Sequence, residues 1–235
     1  MNMRQIEGKL HTYSFYRSIF APVESNMYLL LEGDEAIVFD VNVSDDVLAL
    51  LKENNVHKVH VFLTHEHYDH SHGVCWLKDN FNTVLYCHKE CKGNISTKKR
   101  SSPRLVAFVT SVLDMKNGGD TYERFKESVV EYDIEADEYL EDNQIVSIGN
   151  HKIRCVHTPG HTPGSCVYVF DDELVFSGDS LIEGKKIITG FRGGDKERMM
   201  SEALPKLKSL QDNLVVMPGH GEPFKKKDFD FSIYR

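Results

Sequence analysis

An α/β layered fold is what this chain of 235 residues predicts, and three observations carry the prediction. Apolar runs of strand length recur along it, bounded by Gly, Asp and Asn. Between the early runs lie segments with helical apolar spacing. The order strand, helix, strand, helix in the first hundred residues favours helices layered on a sheet. With 40% hydrophobic and 27% charged residues, the composition is that of an ordinary globular chain.

The elements follow in order. After a polar start, the runs 27–32 and 35–41 flank Gly33-Asp34, a hairpin signal. Ser44 precedes an amphipathic segment with Val47, Leu48, Leu50 and Leu51, a capped helix reaching about residue 55. A Val- and Phe-rich strand covers 57–64, then a short helix about 73–80 and a strand 83–88. The stretch of about 91–138 differs: a basic run (Lys98, Lys99, Arg100), then Leu105, Phe108, Val109, Val112 and Leu113 at helical spacing, then a second helical piece at 121–130. It reads as a helical insertion, either a pair filling out the fold or a cover over a substrate. Its apolar stripe is expected to dock on the main domain. Strands return at 144–148, 152–157, 165–170 and 173–176. Asp195 can cap a last helix through Met199, Ala203, Leu207 and Leu210, which Pro205 can kink or split. A final buried strand, 214–217, leads into Pro218-Gly219-His220-Gly221, and beyond Glu222 only a charged tail is expected. No linker divides the chain, so 1–235 reads as one domain.

Charge and cysteine usage narrow the function. Lys and Arg number 28 against 36 Asp and Glu, a net charge of −8, which disfavours nucleic acid as a partner. No apolar run approaches a membrane span, and the N-terminal residues lack a signal-peptide core, so a cytoplasmic protein is expected. Cys75, Cys87, Cys91, Cys155 and Cys166 are odd in number and scattered, fitting reduced thiols used for packing.

The unusual residue is His, at 12, concentrated in two clusters. Thr64-His65-Glu66-His67-Tyr68-Asp69-His70 directly follows a strand. In extended backbone His65, His67 and Asp69 share one direction while His70 departs at the turn, so one loop can feed two adjacent metal ions. Imidazole with carboxylate suits zinc, iron or manganese, and no clustered Cys set points to a structural zinc site. Three further loops follow strands: the tandem His157-Thr158-Pro159-Gly160-His161-Thr162-Pro163-Gly164, then Ser177-Gly178-Asp179, then Gly219-His220-Gly221. Singly, each is more often just a hydrogen-bonded strand end. Together they can converge on one edge of a sheet.

In that order, His65-x-His67-x-Asp69-His70, Gly160-His161-Thr162-Pro163-Gly164-Ser165, Gly178-Asp179 and Pro218-Gly219-His220-Gly221 resemble the signature of the metallo-β-lactamase superfamily. The resemblance implies an αββα sandwich, two mixed sheets with helices outside. It implies that His65, His67 and His161 hold one divalent ion, that Asp69, His70 and His220 hold a second, and that Asp179 bridges them. Zinc is the expected metal, with iron or manganese as alternatives. Asp40 matches a family position that supports the ligand loop, or is a turn residue; His157 is a supporting or plainly structural residue; His72 has no assigned role. Asp179 disfavours the true β-lactamases, and His67 disfavours the flavo-diiron branch. The run Phe176-Ser177-Gly178-Asp179-Ser180-Leu181 with the later Gly193-Gly194-Asp195 is similar to the glyoxalase II-like thioester hydrolases.

Two metal ions would present hydroxide at neutral pH, with Asp69 and Asp179 as the catalytic carboxylates. The expected activity is therefore hydrolysis of a thioester, on a small-molecule or carrier-bound acyl substrate. A lactone or carboxyl-ester hydrolase and a mononuclear iron persulfide dioxygenase are the alternatives. Substrate choice is expected to lie in the 91–138 stretch and the loop 183–194. There Lys185, Lys186 and Arg192 either meet an anionic group or are solvated surface charge.

Overall fold

Buried strands with two covered faces need apolar side chains at consecutive positions, and the strands of this chain show it. In β4 (Glu35–Phe39), Ala36 and Val38 point one way, into a core shared with helices, while Ile37 and Phe39 point the other way, towards a second sheet. In β10 (Cys166–Phe170), Tyr168 and Phe170 meet Phe39 across that inner layer, and Val167 and Val169 face outward. The period-two alternation of a strand divides the apolar residues among three cores.

The computed structural model describes residues 3–5 and 15–234. The first sheet runs β1 (Met3–Gln5), β2 (Phe15–Phe20), β3 (Ser25–Glu32), β4, β5 (Lys58–Leu63), β6 (Asn82–His88), β7 (Glu138–Leu140). Its first three pairings are antiparallel and its last three parallel. The second sheet has the order β13 (Phe224–Lys225), β12 (Val215–Pro218), β11 (Leu174–Gly178), β10, β9 (His151–His157), β8 (Ile145–Ile148). Only β11 and β12 pair in parallel there, so both sheets are mixed. Against the outer face of the first sheet pack α1 (Asp45–Glu53), α3 (Val74–Asn80), α4 (Arg104–Asn117) and α5 (Thr121–Ser128), through Leu51, Leu77, Val106 and Phe125. The single turn α2 (Tyr68–Ser71) lies between β5 and α3. The second sheet is covered by α6 (Lys196–Arg198), a π-helical turn at Met199–Ala203 and α7 (Leu204–Ser209), through Met199, Leu204 and Leu207. This is the αββα sandwich.

Four expectations need correction or extension. The polar start contains β2, an amphipathic strand with buried Phe15, Arg17 and Ser18, whose buried polar residues hid it. Most of the stripe of α4 does not dock: Phe108 is 63% exposed and Val112 and Leu113 are 40% exposed each, while Leu105 and Val109 are half-buried. The buried pair is Val106 and Thr110, one turn apart, with the Thr110 hydroxyl donating to the Val106 carbonyl. The last helix is indeed capped by Asp195, which accepts from the Arg198 amide, but Pro205 cannot donate to the i−4 carbonyl and a π-helical turn precedes it. The charged tail packs: Phe224 and Phe229 join the third core, and buried Lys226 reaches Asp212 at 2.7 Å.

Candidate metal centre

The site forms where strand ends of both sheets meet. β5 delivers the 64–70 loop, β9 and β10 flank the His161 loop, β11 delivers Asp179 and β12 delivers His220. The two sheets are stitched at this edge by Asn26 N donating to Gly219 O at 2.7 Å and Cys166 N donating to Thr64 O at 2.8 Å. Gly219 has to be small: a Cβ there would lie 2.7 Å from Asp179 Oδ1 and 2.8 Å from His70 Cε1.

The structure brings together His65, His67, Asp69, His70, His161, Asp179 and His220. They form three overlapping triads whose donor atoms lie within 4.8 Å of one another: His65, His67, His161; His65, His70, Asp179; and Asp69, His70, His220. Asp179 faces both outer triads, with Oδ2 3.2 Å from His161 Nε2 and Oδ1 3.5 Å from both His70 Nε2 and His220 Nε2. Asp69 Oδ2 is 3.5 Å from His70 Nε2 and 3.4 Å from His220 Nε2.

What prepares these side chains for cations is the partner on the far side of each ring. His161 Nδ1 donates to Ile188 O at 2.7 Å, and His220 Nδ1 to Val23 O at 3.0 Å. A carbonyl only accepts, so each ring keeps its proton on Nδ1 and turns Nε2 inward, where a cation can take the place of any further proton. His70 Nδ1 donates to Asp40 Oδ2 at 2.7 Å. Thr64 gives its hydroxyl proton to the same carboxylate, so His65 Nδ1 donates to Thr64 Oγ1. Asp40 Oδ1 also accepts from the Thr64 amide, and Asp40 itself holds a positive φ of 55°. A non-glycine residue kept in that region marks a position whose side-chain contacts outweigh the backbone cost. Asp40 is thus both the turn residue and the anchor of the loop.

Inward, the accounting does not close. His65 Nε2, His70 Nε2 and Asp179 Oδ1 are buried with no hydrogen-bond partner among the described residues. Buried polar atoms left without partners are costly, and divalent cations held between these side chains are the chemistry that satisfies them. The residues therefore fit a dinuclear metal site. The charges agree. Burial, with His161 next to it, pushes His67 down to about 3, and burial with the neighbouring imidazoles lowers His65 well below its usual value. For His70, burial is outweighed by Asp69 and Asp40, which raise it to about 10; His220 is raised by Asp179 and Asp69 against the same burial penalty. Asp69 and Asp179 stay low despite burial because His70 and His220 flank them.

Other sequence candidates lie outside. His157 stacks on His88 at 3.6 Å and donates to Pro163 O, a structural role. His72 stacks on Tyr68 and accepts from the Val43 amide. The five cysteines are free thiols, four of them buried. Residues missed in the sequence are the Val23 and Ile188 carbonyls, which carry no side-chain signal, and Glu66. The Glu66 carboxyl is buried, accepts from Thr162 Oγ1 at 2.7 Å and so ties the two ligand loops; burial raises its pKa. Its place between two histidines was the available signal. Beside the cluster opens a cleft of about 230 Å³ walled by Leu105, Val109, Ile182, Ile188 and Phe191, with Lys185 at its rim.

Comparison with known proteins places this geometry. The chain is 27% identical over 202 residues to the probable metallo-hydrolase YqgX of Bacillus subtilis, covering 85% of this chain and 86% of that one. It is 24% identical over 191 residues to the hydroxyacylglutathione hydrolase GloC of Haemophilus influenzae, 81% of each chain. The crystal structure of the BLEG-1 B3 metallo-beta-lactamase superposes with a TM-score of 0.70 at 26% identity, over 91% of this chain and 95% of that one. The model of the metallo-beta-lactamase superfamily matches residues 21–220, which hold all seven clustered side chains, and the chain belongs to that superfamily.

Proposed function

We propose that the protein is a dinuclear metallohydrolase that cleaves thioesters in the manner of the glyoxalase II-like enzymes. The observation that carries the dinuclear reading is Asp179, which turns one carboxylate oxygen to His161 and the other to His70 and His220. In this reading His65, His67 and His161 would hold one ion and Asp69, His70 and His220 the other, with Asp179 facing both groups. Two divalent ions bound there would supply Lewis acidity for a carbonyl oxygen and would lower the pKa of water from 15.7 to about 7. The chain's own groups do the rest. Asp69 orients the attacking water through its carboxylate. Asp40 fixes His70, and the Ile188 and Val23 carbonyls fix His161 and His220, so little reorganisation is needed at reaction. Leu105, Val109 and Ile188 give the cleft an apolar wall against which the acyl group packs.

Support for the thioester comes from the similarity to a hydroxyacylglutathione hydrolase and from the Gly178-Asp179 and Gly193-Gly194-Asp195 motifs. The test loads the purified protein with zinc, iron or manganese and measures metal content and rates on thioesters, lactones, carboxyl esters and a β-lactam. Oxygen uptake on a persulfide is followed in parallel. Two ions per chain with thioester turnover support the reading. One iron with oxygen uptake replaces it with the dioxygenase, and a lactone preference replaces the bond cleaved.

A further inference from the structure

Every arginine costs less when its charge is answered, and four of the seven whose side chains are described have an answer. Arg17 pairs with Glu222, Arg124 with Asp120, Arg154 with Asp172 and Arg198 with Glu90 and Glu202. Arg100, Arg104 and Arg192 have no carboxylate within 4 Å among the described residues. These three converge on one recess of about 240 Å³, together with Lys99. Lys99 donates to the Gly93 carbonyl and likewise meets no carboxylate among the described residues. Like charges gather here although the chain carries −8 overall.

The recess adjoins the metal cleft. His67, Leu105 and Phe191 line both cavities, so one molecule can occupy the two. Arg104 and Arg192 also line an adjoining cavity of about 360 Å³, where Lys98 adds a further cation and Glu131 is the acidic lining residue. Arg100 is held under the 190–194 loop because Gly193, at a φ of 95°, has no Cβ; a side chain there would collide with the guanidinium. Arg100 also works against the burial that raises the pKa of Glu66, without pairing with it.

We infer that this recess binds a phosphate-bearing thiol, so that the substrate is a thioester whose leaving half carries phosphate groups. One carboxylate is satisfied by one guanidinium fork. Three forks and an ammonium exceed its acceptor capacity and match the three oxygens and higher charge of a phosphate. The apolar cleft at the metal cluster then takes the acyl half. This inference rests on the thioester reading above and names the substrate class for it.

Two measurements separate the failure of either idea. Binding of desulfo-coenzyme A, which has phosphates but no thioester, is titrated calorimetrically onto the metal-loaded protein at low and high salt. Binding is expected, weakening as salt screens the charges, and to fall about tenfold in Arg104→Gln and in Arg192→Gln. Kinetics then compare one acyl group on coenzyme A, on glutathione and on uncharged N-acetylcysteamine. The expected result is a KM about tenfold lower for the coenzyme A thioester, with each variant raising that KM far more than the N-acetylcysteamine KM. Absence of desulfo-coenzyme A binding to the wild type overturns the phosphate site whatever the turnover shows. Equal KM values across the three thiols, or a preference for glutathione, overturn it while leaving thioester hydrolysis standing. Phosphate-dependent binding without hydrolysis of any thioester keeps the anion site and removes the reaction.

Discussion

Around one cleft, two segments are built in opposite ways. In the 64–70 loop the outer nitrogens of His65 and His70 are tied to Thr64 and Asp40, and every residue but Asp69 is buried. On α4, Val106 and Thr110 are buried, while Phe108 and Met115 are 63% and 79% exposed. The loop is over-determined and the helix is half committed. Rigid, satisfied groups hold reacting partners in place, whereas an exposed apolar wall can change composition at little cost to the fold. The difference assigns chemistry to the loop and selectivity to the helix, and each side of it can be attacked.

The largest effect is expected from Asp179→Asn. A neutral amide cannot serve two cations, so turnover should fall about 100-fold or more, beyond the 10–100-fold typical of a supporting partner. The metal-free protein should lose some stability in thermal unfolding, because Asp179 Oδ2 lies 3.2 Å from His161 Nε2 and the carboxylate helps to raise His220, but the loss in turnover should be far larger. Near-normal rates with full metal content would remove the bridging role.

Asp40→Asn probes the support behind the loop. It weakens the acceptor for His70 Nδ1 and for the Thr64 hydroxyl and amide, so metal affinity should drop about 10–100-fold, read by chelator competition. Unaltered affinity would show that the buried network is packing alone.

Acidity acts on the same loop. His70, raised to about 10 by Asp69 and Asp40 over the burial penalty, keeps its proton below that pH in the metal-free cluster. Metal must displace it, so affinity falls as pH falls, about tenfold per unit for each proton displaced. His220, also raised, steepens the fall below its own pKa. Zinc competition at pH 6, 7 and 8 measures the slope. A flat profile would mean that the cluster holds no displaceable proton.

The same contrast governs what the sequence revealed. Ligand positions were legible because histidines and aspartates following apolar strands have few other uses in such density. Asp40 was half legible, since its turn geometry and its carboxylate both matter. The Val23 and Ile188 carbonyls were not, because backbone acceptors leave no mark on residue identity. The strands 57–64 and 165–170 stood out because both faces are buried. β2 did not, with Arg17 and Ser18 buried by pairing to Glu222 and Asn42. On α4 the spacing was right and the face was wrong: apolar residues cover more than one stripe, and periodicity alone does not say which side meets the core and which the cleft.

That ambiguity supplies the smallest and sharpest test. Val106 is 2% exposed and packs in the outer core with Phe125, so Val106→Ala should cost about 1–3 kcal/mol in lost burial and cavity. Phe108, two residues away, is largely solvated, and Phe108→Ala should stay within about 0.5 kcal/mol. Both are read by urea unfolding with unchanged slope. If selectivity lives on the open side of α4, Leu105→Ala, which enlarges the cleft itself, should alter the ranking of short against long acyl thioesters and leave metal content alone. A Phe108→Ala variant as unstable as Val106→Ala would show that the exposed stripe is covered in solution. The contrast between a fixed loop and a free wall would then collapse at that face.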